Sequence, residues 1–421
     1  MSEPTPARRG RKPKPKLRAR DIQGAKYLTR IVKLLAPLRA HRADPKRQLH
    51  FDQYCAWLLL YFFTPILDSL RGLQQASGLE SIQRKLGLSR FSLGSFSEAG
   101  NVFDPALLVP IMEEIGRRVA DIEPDPRLRA LPRRPTPVDG TLLHALPKMV
   151  WALWLDEHNH AAKLHLQFDL LKGVPQQATL TDAQASETRT LQRHLGPDRL
   201  YVADRGYFDY ALLAAILAAH SSFLTRVHDN IAYDVLQENP IGAEAARAGV
   251  ELDALVRVGS KSHQDKIDRP LRLVRIHVPD SAGSQRRPNR VDAKTKMFRT
   301  RQNDHTLLLL TDQLEIEVSL LALLYRQRWQ IELFFRWFKK VLQADRLLAL
   351  SQRGMTSVVY CALIASMLVV LWTGRKPTKR TFELLCFYFA GWASDEDVRR
   401  HLESLAPADP TESLAPADPT A

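Results

Sequence analysis

Two aspartates stand where the pattern of a strand gives way to a turn, in the segments VDGT and ADRGY. Asp139 precedes Gly140 at the end or edge of a strand, and Asp204 ends the apolar run 200–203. Carboxylates at strand ends can converge at one edge of a sheet, where divalent cations and a substrate meet. A lone Asp-Gly pair is more often a plain turn, so a chemical interpretation needs a third acid.

The third acid is Glu332, which stands alone among bases in YRQRWQIELFFRWFKK, residues 325–340. The pattern there predicts one helix over 315–344. Steps of four and seven residues bring side chains to one helical face. That face carries Tyr325, Arg328, Glu332 and Lys339. A hydroxyl, a carboxylate and two cations suit a metal ligand flanked by phosphate contacts. The alternative is a basic helix whose acid pairs with Arg328 or Arg336. Five aromatic residues are expected to supply the burial of the helix: Trp329, Phe334, Phe335, Trp337 and Phe338.

The spacing on this helix resembles a known signature. It is written Tyr325-x2-Arg328-x3-Glu332-x6-Lys339. This is similar to the Tyr-Arg-Glu-Lys signature of bacterial DDE transposases of the insertion-sequence-four family. Asp139 resembles the first Asp of that family and Asp204 the second. The intervals fit, since 65 residues lead from Asp139 to Asp204 and 128 lead from Asp204 to Glu332. The resemblance covers roughly residues 130–375.

The resemblance implies a fold and a metal. The fold is α/β, an RNase H-like catalytic domain interrupted by a β-rich insertion, with a helical N-terminal region. Asp139, Asp204 and Glu332 would be catalytic and would hold two Mg²⁺ ions, for which Mn²⁺ can substitute. Two metal ions bridged by carboxylates activate a water or a DNA 3′-hydroxyl for in-line attack on phosphate. Mg²⁺ prefers oxygen ligands and keeps several waters, so three carboxylates suffice.

The resemblance also implies a nucleic-acid partner. Arg328 and Lys339 would hold the DNA backbone, Arg through its planar fork and Lys as a point charge. Tyr325 would donate to a phosphate, with a hydroxyl half-buried against the sheet as the competing account. The implied function is DNA transposition, in which a homo-oligomer binds double-stranded element ends, cleaves them and joins them to target DNA. Two alternatives stay open: a nuclease of this fold without strand transfer, and a non-catalytic DNA-binding relic.

The charge balance separately favours a polyanionic partner. The 421 residues include 60 Lys and Arg against 46 Asp and Glu, a formal net charge of +14. An excess of that size points most often to nucleic acid. Residues 1–20 hold eight bases and one acid. A segment of this composition is expected to be a disordered arm that touches DNA phosphates.

The rest of the composition predicts a cytoplasmic protein, associated with the bacterial nucleoid. Cys55, Cys361 and Cys386 each lie in an apolar segment, as reduced core thiols do. The longest apolar run, 358–372, is shorter than the roughly 20 residues that span a bilayer, so we interpret it as a buried helix and expect no membrane partner. The sequence has no Walker-type phosphate loop, so no nucleotide cofactor is expected.

Changes of pattern along the chain predict six segments. They are a disordered basic tail (1–20), a helical DNA-binding region (21–130), the RNase H-like domain (131–229 and 305–375), a β-rich insertion (230–304), a C-terminal helical region (376–402) and a disordered tail with a nine-residue tandem repeat (403–421). The insertion is expected beside the active site and in contact with DNA. Its candidate DNA contacts are Arg269, Arg272, Arg275, Arg286, Arg287 and Arg290.

Overall fold

A computed structural model describes most of the chain between the two tails. The described residues are 29–41, 48–145, 149–152, 160–259, 267–277, 306–344 and 348–405. The basic tail, the tandem repeat and the centre of the predicted insertion therefore lie outside them. The chain divides into two compact units, Met1–Phe103 with Glu383–Arg400, and Asp104–Phe382 with His401–Ala421.

The described residues before position 104 form helices. These are α1 (Thr29–Leu35), α2 (Phe51–Phe63), α3 (Leu70–Ser77), α4 (Glu80–Leu86) and α5 (Leu93–Val102), with a 3₁₀ helix at Ala36–Ala40. Helix α2 is buried along almost its whole length and stops two residues before Pro65, as expected for a residue that cannot continue a helix. Ser69 caps α3 by accepting from the Gly72 amide.

The second unit alternates helices and strands. Its first half contains α6 (Val109–Arg118), α7 (Pro126–Arg129), β1 (Arg134–His144), β2 (Ala161–Asp169), β3 (Val174–Asp182), α8 (Glu187–Gln192), β4 (Arg199–Ala203), α9 (Tyr210–Ala218) and β5 (Ser222–Arg226). There follow β6 (Tyr233–Glu238), α10 (Ala243–Arg247), β7 (Val250–Val258), β8 (Leu271–His277), β9 (Thr306–Thr311), α11 (Val318–Gln327), α12 (Trp329–Lys340) and α13 (Gln352–Thr373). Helices α14 (Lys379–Phe389) and α15 (Asp395–Ser404) complete the described chain, and most of both belongs to the first unit.

One sheet joins the nine described strands in the order β3-β2-β1-β4-β5-β9-β8-β7-β6. Strands β1, β4 and β5 run parallel, and every other neighbouring pair is antiparallel. The sheet is mixed, and helices are interleaved with its strands along the chain. The predicted mixed α/β class is confirmed.

Both faces of the central sheet are buried. Leu200 and Val202 of β4 belong to the apolar cluster that contains α11. Tyr201 and Ala203 belong to the cluster on the other face, which contains α9. Successive side chains of a strand point to opposite faces of the sheet. The faces assigned to the residues of β4 therefore also give the faces of the residues that pair with them on a neighbouring strand.

The predicted single helix over 315–344 is wrong in one respect: it is two helices that meet at Arg328. Arg328 itself has helical dihedral angles, but the backbone hydrogen bonds on either side of it join residues three apart instead of four apart. The Arg328 amide donates to Tyr325 O and the Ile331 amide to Arg328 O, each at 3.2 Å. These are three-residue steps of the 3₁₀ kind. Of the five aromatic residues expected to be buried, Trp329 is 47% exposed, while the other four are buried.

Helix α13 contains the apolar run that the sequence analysis assigned to the core. It is the one described helix long and apolar enough to cross a membrane by length and composition, but 89% of its apolar window is buried inside the protein. It packs on α6 and β3. Its neighbours are therefore protein, as in the core helix of a globular domain.

The described part of 230–304 adds strands β6, β7 and β8 to the far end of the sheet. One of its predicted DNA contacts has a different role. Arg272 is only 7% exposed, and its guanidinium donates to both Asp253 carboxylate oxygens, at 2.8 and 2.7 Å, and to the carbonyls of Leu314 and Ile316. Arg272 is thus unavailable to DNA. It ties two strands to the segment that leads into α11.

Two other arginines of that set can be located. Arg269 is exposed and Arg275 is half-buried. The remaining three, at 286, 287 and 290, lie outside the described residues. Contact between this segment and DNA remains a prediction that rests on Arg269 and Arg275 among the described positions.

On the face of β1 that carries α8, a glycine permits a close approach. Glu187 forms an ion pair with Lys163 at 3.3 Å. A Cβ built on Gly140 would lie 2.9 Å from Glu187 Oε1, closer than such atoms can approach. A side chain at position 140 would therefore displace the end of the flexible Glu187 side chain from its place beside Lys163.

Neutralising Asp253 should destabilise the second unit. Asp253→Asn leaves a buried guanidinium without a countercharge, which typically lowers the free energy of unfolding by about 3–5 kcal/mol. Urea denaturation followed by tryptophan fluorescence measures the change. The control is Glu251→Gln on the same strand, whose side chain is 46% exposed and whose loss should change stability by less than about 1 kcal/mol. Equal effects of the two variants would contradict the assigned role.

A side chain at position 140 should conflict with Glu187 alone. Gly140→Ala should lower the free energy of unfolding by about 1 kcal/mol, because the added methyl group displaces a carboxylate from its lysine. In a Glu187→Ala background the same substitution should cost nothing, which a double-mutant cycle measures. Gly196→Ala is the control, since nothing lies within 4 Å of its added Cβ. Additive effects of the two substitutions would contradict the contact.

Candidate active site

Strand β1 directs Asp139 toward the face that carries α11. Pro137 pairs with Val202 of β4, and Val202 belongs to the cluster of that face. Two residues further on, Asp139 lies on the same side, and Gly140 lies on the side of α8. The Asp139 carboxylate accepts a hydrogen bond from the Gly140 amide at 2.8 Å.

Asp204 occupies the equivalent level of the neighbouring strand. It follows the last residue of β4 by one position and lies two residues beyond Val202, just as Asp139 lies two residues beyond Pro137. Its Oδ1 accepts from the Gly206 amide at 2.9 Å and caps a single 3₁₀ turn, Arg205–Tyr207. Register and capping together place both aspartates at one level of the sheet.

Glu332 enters from the helix that covers this face. Arg328 Nη2 donates to Glu332 Oε1 at 2.7 Å, and the side chains are 14% and 30% exposed. The guanidinium carbon of Arg328 also lies 5.9 Å from the ring centre of Tyr325. Arg336 points outward and is exposed. Of the two ion pairs that the basic-helix alternative allows, the structure contains the one with Arg328.

The three acids act on one another electrostatically. Burial above all raises the pKa of Asp139 to about 7; the charges of Asp204 and Glu332 act in the same direction, and the Gly140 amide and Arg328 in the opposite one. A carboxyl group with this pKa is partly protonated near neutral pH. The structure therefore brings Asp139, Asp204 and Glu332 into one electrostatic neighbourhood.

The other residues of the predicted set lie beside these acids. Lys339 is half-buried, and its Nζ donates to Thr141 Oγ1 at 2.9 Å. Thr141 is two residues beyond Asp139 and shares its face of β1. Tyr325 is 8% exposed, and burial raises the pKa of its phenol. Its ring lies in the core, as the competing account of this residue expects, so a phosphate contact of Tyr325 remains a prediction.

The oxygen atoms of the site suit a hard divalent cation. No group of three or more His, Cys, Asp or Glu side chains in the described ranges is arranged to hold a metal ion as it stands. Asp139, Asp204 and Glu332 each have one carboxylate oxygen in a hydrogen bond. For the second oxygen of each, the described residues supply no hydrogen bond. Oxygen-only donors match Mg²⁺ and Mn²⁺ better than softer metals.

Two neighbours of the acids were not singled out from the sequence. Burial raises the pKa of Tyr207 well above its ordinary value, with Glu187 and Asp139 adding to the effect. Tyr207 ends the ADRGY segment, which could have marked it as part of the site. Glu187 is a first-turn acid of a short helix, and such acids are common for reasons of helix stability alone.

Known proteins resemble the region that contains these residues. Residues 131–368 match the family described as "Transposase DDE domain". The chain is 29% identical over 207 residues to "Putative transposase y4zB" of Sinorhizobium fredii, which covers 48% of this chain and 51% of that protein. It is 24% identical over 267 residues to "Probable transposase for insertion sequence element IS5377" of Geobacillus stearothermophilus, with 61% and 59% covered.

The chain thus spans between half and three-fifths of the length of the curated relatives it matches. Among solved structures, a distant likeness is to "Cryo-EM structure of piggyBac transposase synaptic complex with hairpin DNA (SNHP)", with a TM-score of 0.37 and 11% identity over 95% of this chain and 86% of that one. The family match runs from the residues before β1 into α13 and includes the strand of Asp139 and the helix of Glu332. Since it covers more than half of the chain, the protein belongs to the family of the transposase DDE domain.

Proposed function

We propose that this protein is a DNA transposase of the insertion-sequence-four type, which binds the ends of its element, cleaves them with the help of metal ions and joins the freed 3′-hydroxyl to target DNA. The observation that carries the proposal is the shared level of Asp139 and Asp204 on adjacent parallel strands, under the helix of Glu332. Ordinary turn aspartates have no reason to share a face with a third acid.

The sheet supports an RNase H-like catalytic domain. The strand order is β3-β2-β1-β4-β5, with β1 to β3 antiparallel and β4 and β5 parallel to β1, so the strand of Asp139 lies beside the strand that leads to Asp204. Strands β6 to β8 come between β5 and β9 in sequence, where the resemblance implies an insertion. The proposed domain therefore consists of residues 131–229 and 305–375, with 230–304 inserted and 21–130 as a helical DNA-binding region.

Asp139, Asp204 and Glu332 would hold the two Mg²⁺ ions, or Mn²⁺ in their place. When bound, such ions supply the activation of a water or hydroxyl and the neutralisation of charge at the attacked phosphate. The chain's own contribution is to hold three carboxylates in a half-buried place. A positive charge there would favour the ionised form of Asp139, whose pKa burial raises to about 7.

Arg328 and Lys339 would hold the DNA backbone on either side of Glu332. Arg328 now shares its charge with Glu332, and Lys339 donates to the neutral Thr141 hydroxyl. Lys339 therefore has a positive charge that no acid in the described residues offsets. The proposed partner is double-stranded DNA, both element ends and target, bound by a homo-oligomer in the bacterial cytoplasm at the nucleoid.

A nuclease of the same fold is the second candidate. It would nick DNA in the presence of Mg²⁺ and would yield no joined product. Incubation of the full chain with its flanking DNA ends, a target plasmid and Mg²⁺ separates the two: a transposase gives strand-transfer products on a denaturing gel. Nicking without joining supports the nuclease, and neither product supports the DNA-binding relic.

Glu332→Gln should abolish cleavage and leave DNA binding intact or stronger. The substitution keeps the size of the side chain, removes one metal ligand and releases Arg328 from an ion pair, so repulsion of phosphate decreases. Cleavage in Mg²⁺ and gel-shift affinity measure the two effects. EDTA should reproduce the loss of cleavage in the unaltered protein. The control Glu315→Gln removes one exposed acid before α11 and should retain cleavage. A Glu332→Gln protein that cleaved DNA would remove this acid from the catalytic set.

Lys339→Ala should weaken DNA binding and lower the slope of log affinity against log salt by about one, because one lysine neutralises roughly one phosphate. Thr141→Val is the matched control. It removes the hydroxyl that holds Lys339 and keeps the charge, so the salt slope should stay unchanged. An unchanged slope in Lys339→Ala would show that this lysine contacts no phosphate.

A further inference from the structure

A cavity lies where β1 and β4 begin, away from the carboxylates, which lie further along both strands. It has a volume of about 880 Å³ and is lined by residues of α6, β3 and α13 and by the first residues of β1 and β4. Those first residues, Arg134 and Arg199, are register partners. Asp139 is five residues further along β1, a distance of roughly 17 Å at the rise of a strand. The cavity is therefore separate from the candidate active site.

Two cations of the cavity wall form no ion pair with an acid of the described residues. Arg199 is half-buried and donates to the neutral amide of Gln176. Burial lowers its pKa, and the charge of Asp169, which does not form an ion pair with it, acts in the opposite direction. Lys172 Nζ donates to the carbonyl of Gly116 at 2.6 Å. Neither forms an ion pair with an acid of the described residues. Each is a partly desolvated charge with donors left for a ligand.

The other charged residues of the wall have partners or face solvent. Arg134 is held by Asp121 and by Asp169, the latter at 2.8 Å. Arg117 is held by Glu114 at 2.5 Å. Glu113 is exposed. The half-buried part of the wall is left with a net positive charge, which selects an anionic ligand.

The floor of the same cavity is apolar. Met112, Val174 and Ala178 are buried side chains that line it. Tyr360 also lines the floor, and its hydroxyl donates a hydrogen bond to the Ala178 carbonyl at 2.8 Å. Inorganic phosphate would make no favourable contact with an apolar floor, whereas a flat aromatic base can pack on it. The volume is in the range of pockets that enclose small organic ligands, about 300–1,000 Å³.

We propose that this cavity binds a nucleotide, with its phosphate at Arg199 and Lys172 and its base on the apolar floor. The ligand has two possible sources, a free mononucleotide or an unpaired nucleotide at the end of a DNA strand. The absence of a Walker-type loop bears only on that one way of binding nucleoside triphosphates. The site needs none of the three carboxylates, so it goes beyond the proposed transposition.

Equilibrium dialysis of the full chain with radiolabelled dAMP in EDTA tests the site directly. We expect saturable binding that weakens about tenfold or more in Arg199→Gln, since hydrogen bonds from a charged donor are the strong ones. Val109→Trp places a bulky side chain at the half-exposed rim and should also block binding. The control is Arg193→Gln, an exposed arginine outside the cavity. Thermal unfolding checks that each variant folds.

Competition against dAMP distinguishes a free mononucleotide from an unpaired nucleotide at the end of a DNA strand. If a duplex with a 3′ single-stranded tail displaces dAMP and a blunt duplex does not, the ligand is a strand end; if neither does, it is a free nucleotide. Inorganic phosphate that competed as well as dAMP would overturn the proposal, because the base would then contribute nothing. Absence of saturable binding, or equal losses in Arg199→Gln and Arg193→Gln, would do the same. Glu332→Gln should bind dAMP normally, so this site and the proposed transposition can fail separately.

Discussion

The parallel, in-register pairing of β1 with β4 is the constraint on which the candidate site depends. It sets Pro137 opposite Val202, and two residues later both strands carry an aspartate. Parallel strands cannot be joined by a tight hairpin and need a crossover. Here the crossover contains β2, β3 and α8, which accounts for much of the interval between Asp139 and Asp204. A slip of one residue in this pairing would send one acid to the α8 face.

Burial on both sheet faces sets the electrostatics of that site. An acid on a covered face loses hydration, and two further acids nearby raise the cost of its charge. Arg328 offsets part of this negative charge, because it pairs with Glu332 and also lowers the pKa of Asp139. Arg328 and Lys339 are two cations beside three acids, which leaves an excess of one negative charge when all three acids are ionised. A site in this condition favours a cation from solution, which is the physical basis for expecting metal ions there.

Sequence patterns predicted the parts of this structure that depend on local chemistry. Apolar runs and turn residues were enough to locate Asp204 just after the end of β4, and helical spacing was enough to bring Arg328 and Glu332 together. Asp139, expected at the end or edge of a strand, lies instead in the middle of β1, because pairing with β2 continues that strand to His144. The break at Arg328 could not be predicted, because its dihedral angles are helical and only the hydrogen bonds change. The burial of Arg272 depends on Asp253, which lies on another strand 19 residues away.

Contacts between segments distant in sequence also account for the features that the sequence did not predict. Trp329 is exposed because it begins α12 just after the break, away from the face that packs. The approach of Glu187 to Gly140 and the cavity lined by Arg199 are produced by segments distant in sequence. No periodicity marks them. Residue types could suggest the chemistry of the acids, but only the folded chain shows which cations form no ion pair with an acid of the described residues.

The antiparallel pairing of β5 with β9 has a consequence for how the chain tolerates change. The segment between Arg226 and Thr306, which contains β6 to β8, begins at the end of β5 and ends at the start of its neighbour β9, where the Val227 amide donates to the Leu308 carbonyl at 2.9 Å. Its two ends are thus fixed a strand's width apart, whatever its length. Loop-closure entropy grows only logarithmically, at about 0.6 kcal/mol for each doubling of length. Changes of length in the connections within this segment therefore carry little penalty to folding, provided that β8 stays paired with β9 and Arg272 stays paired with Asp253.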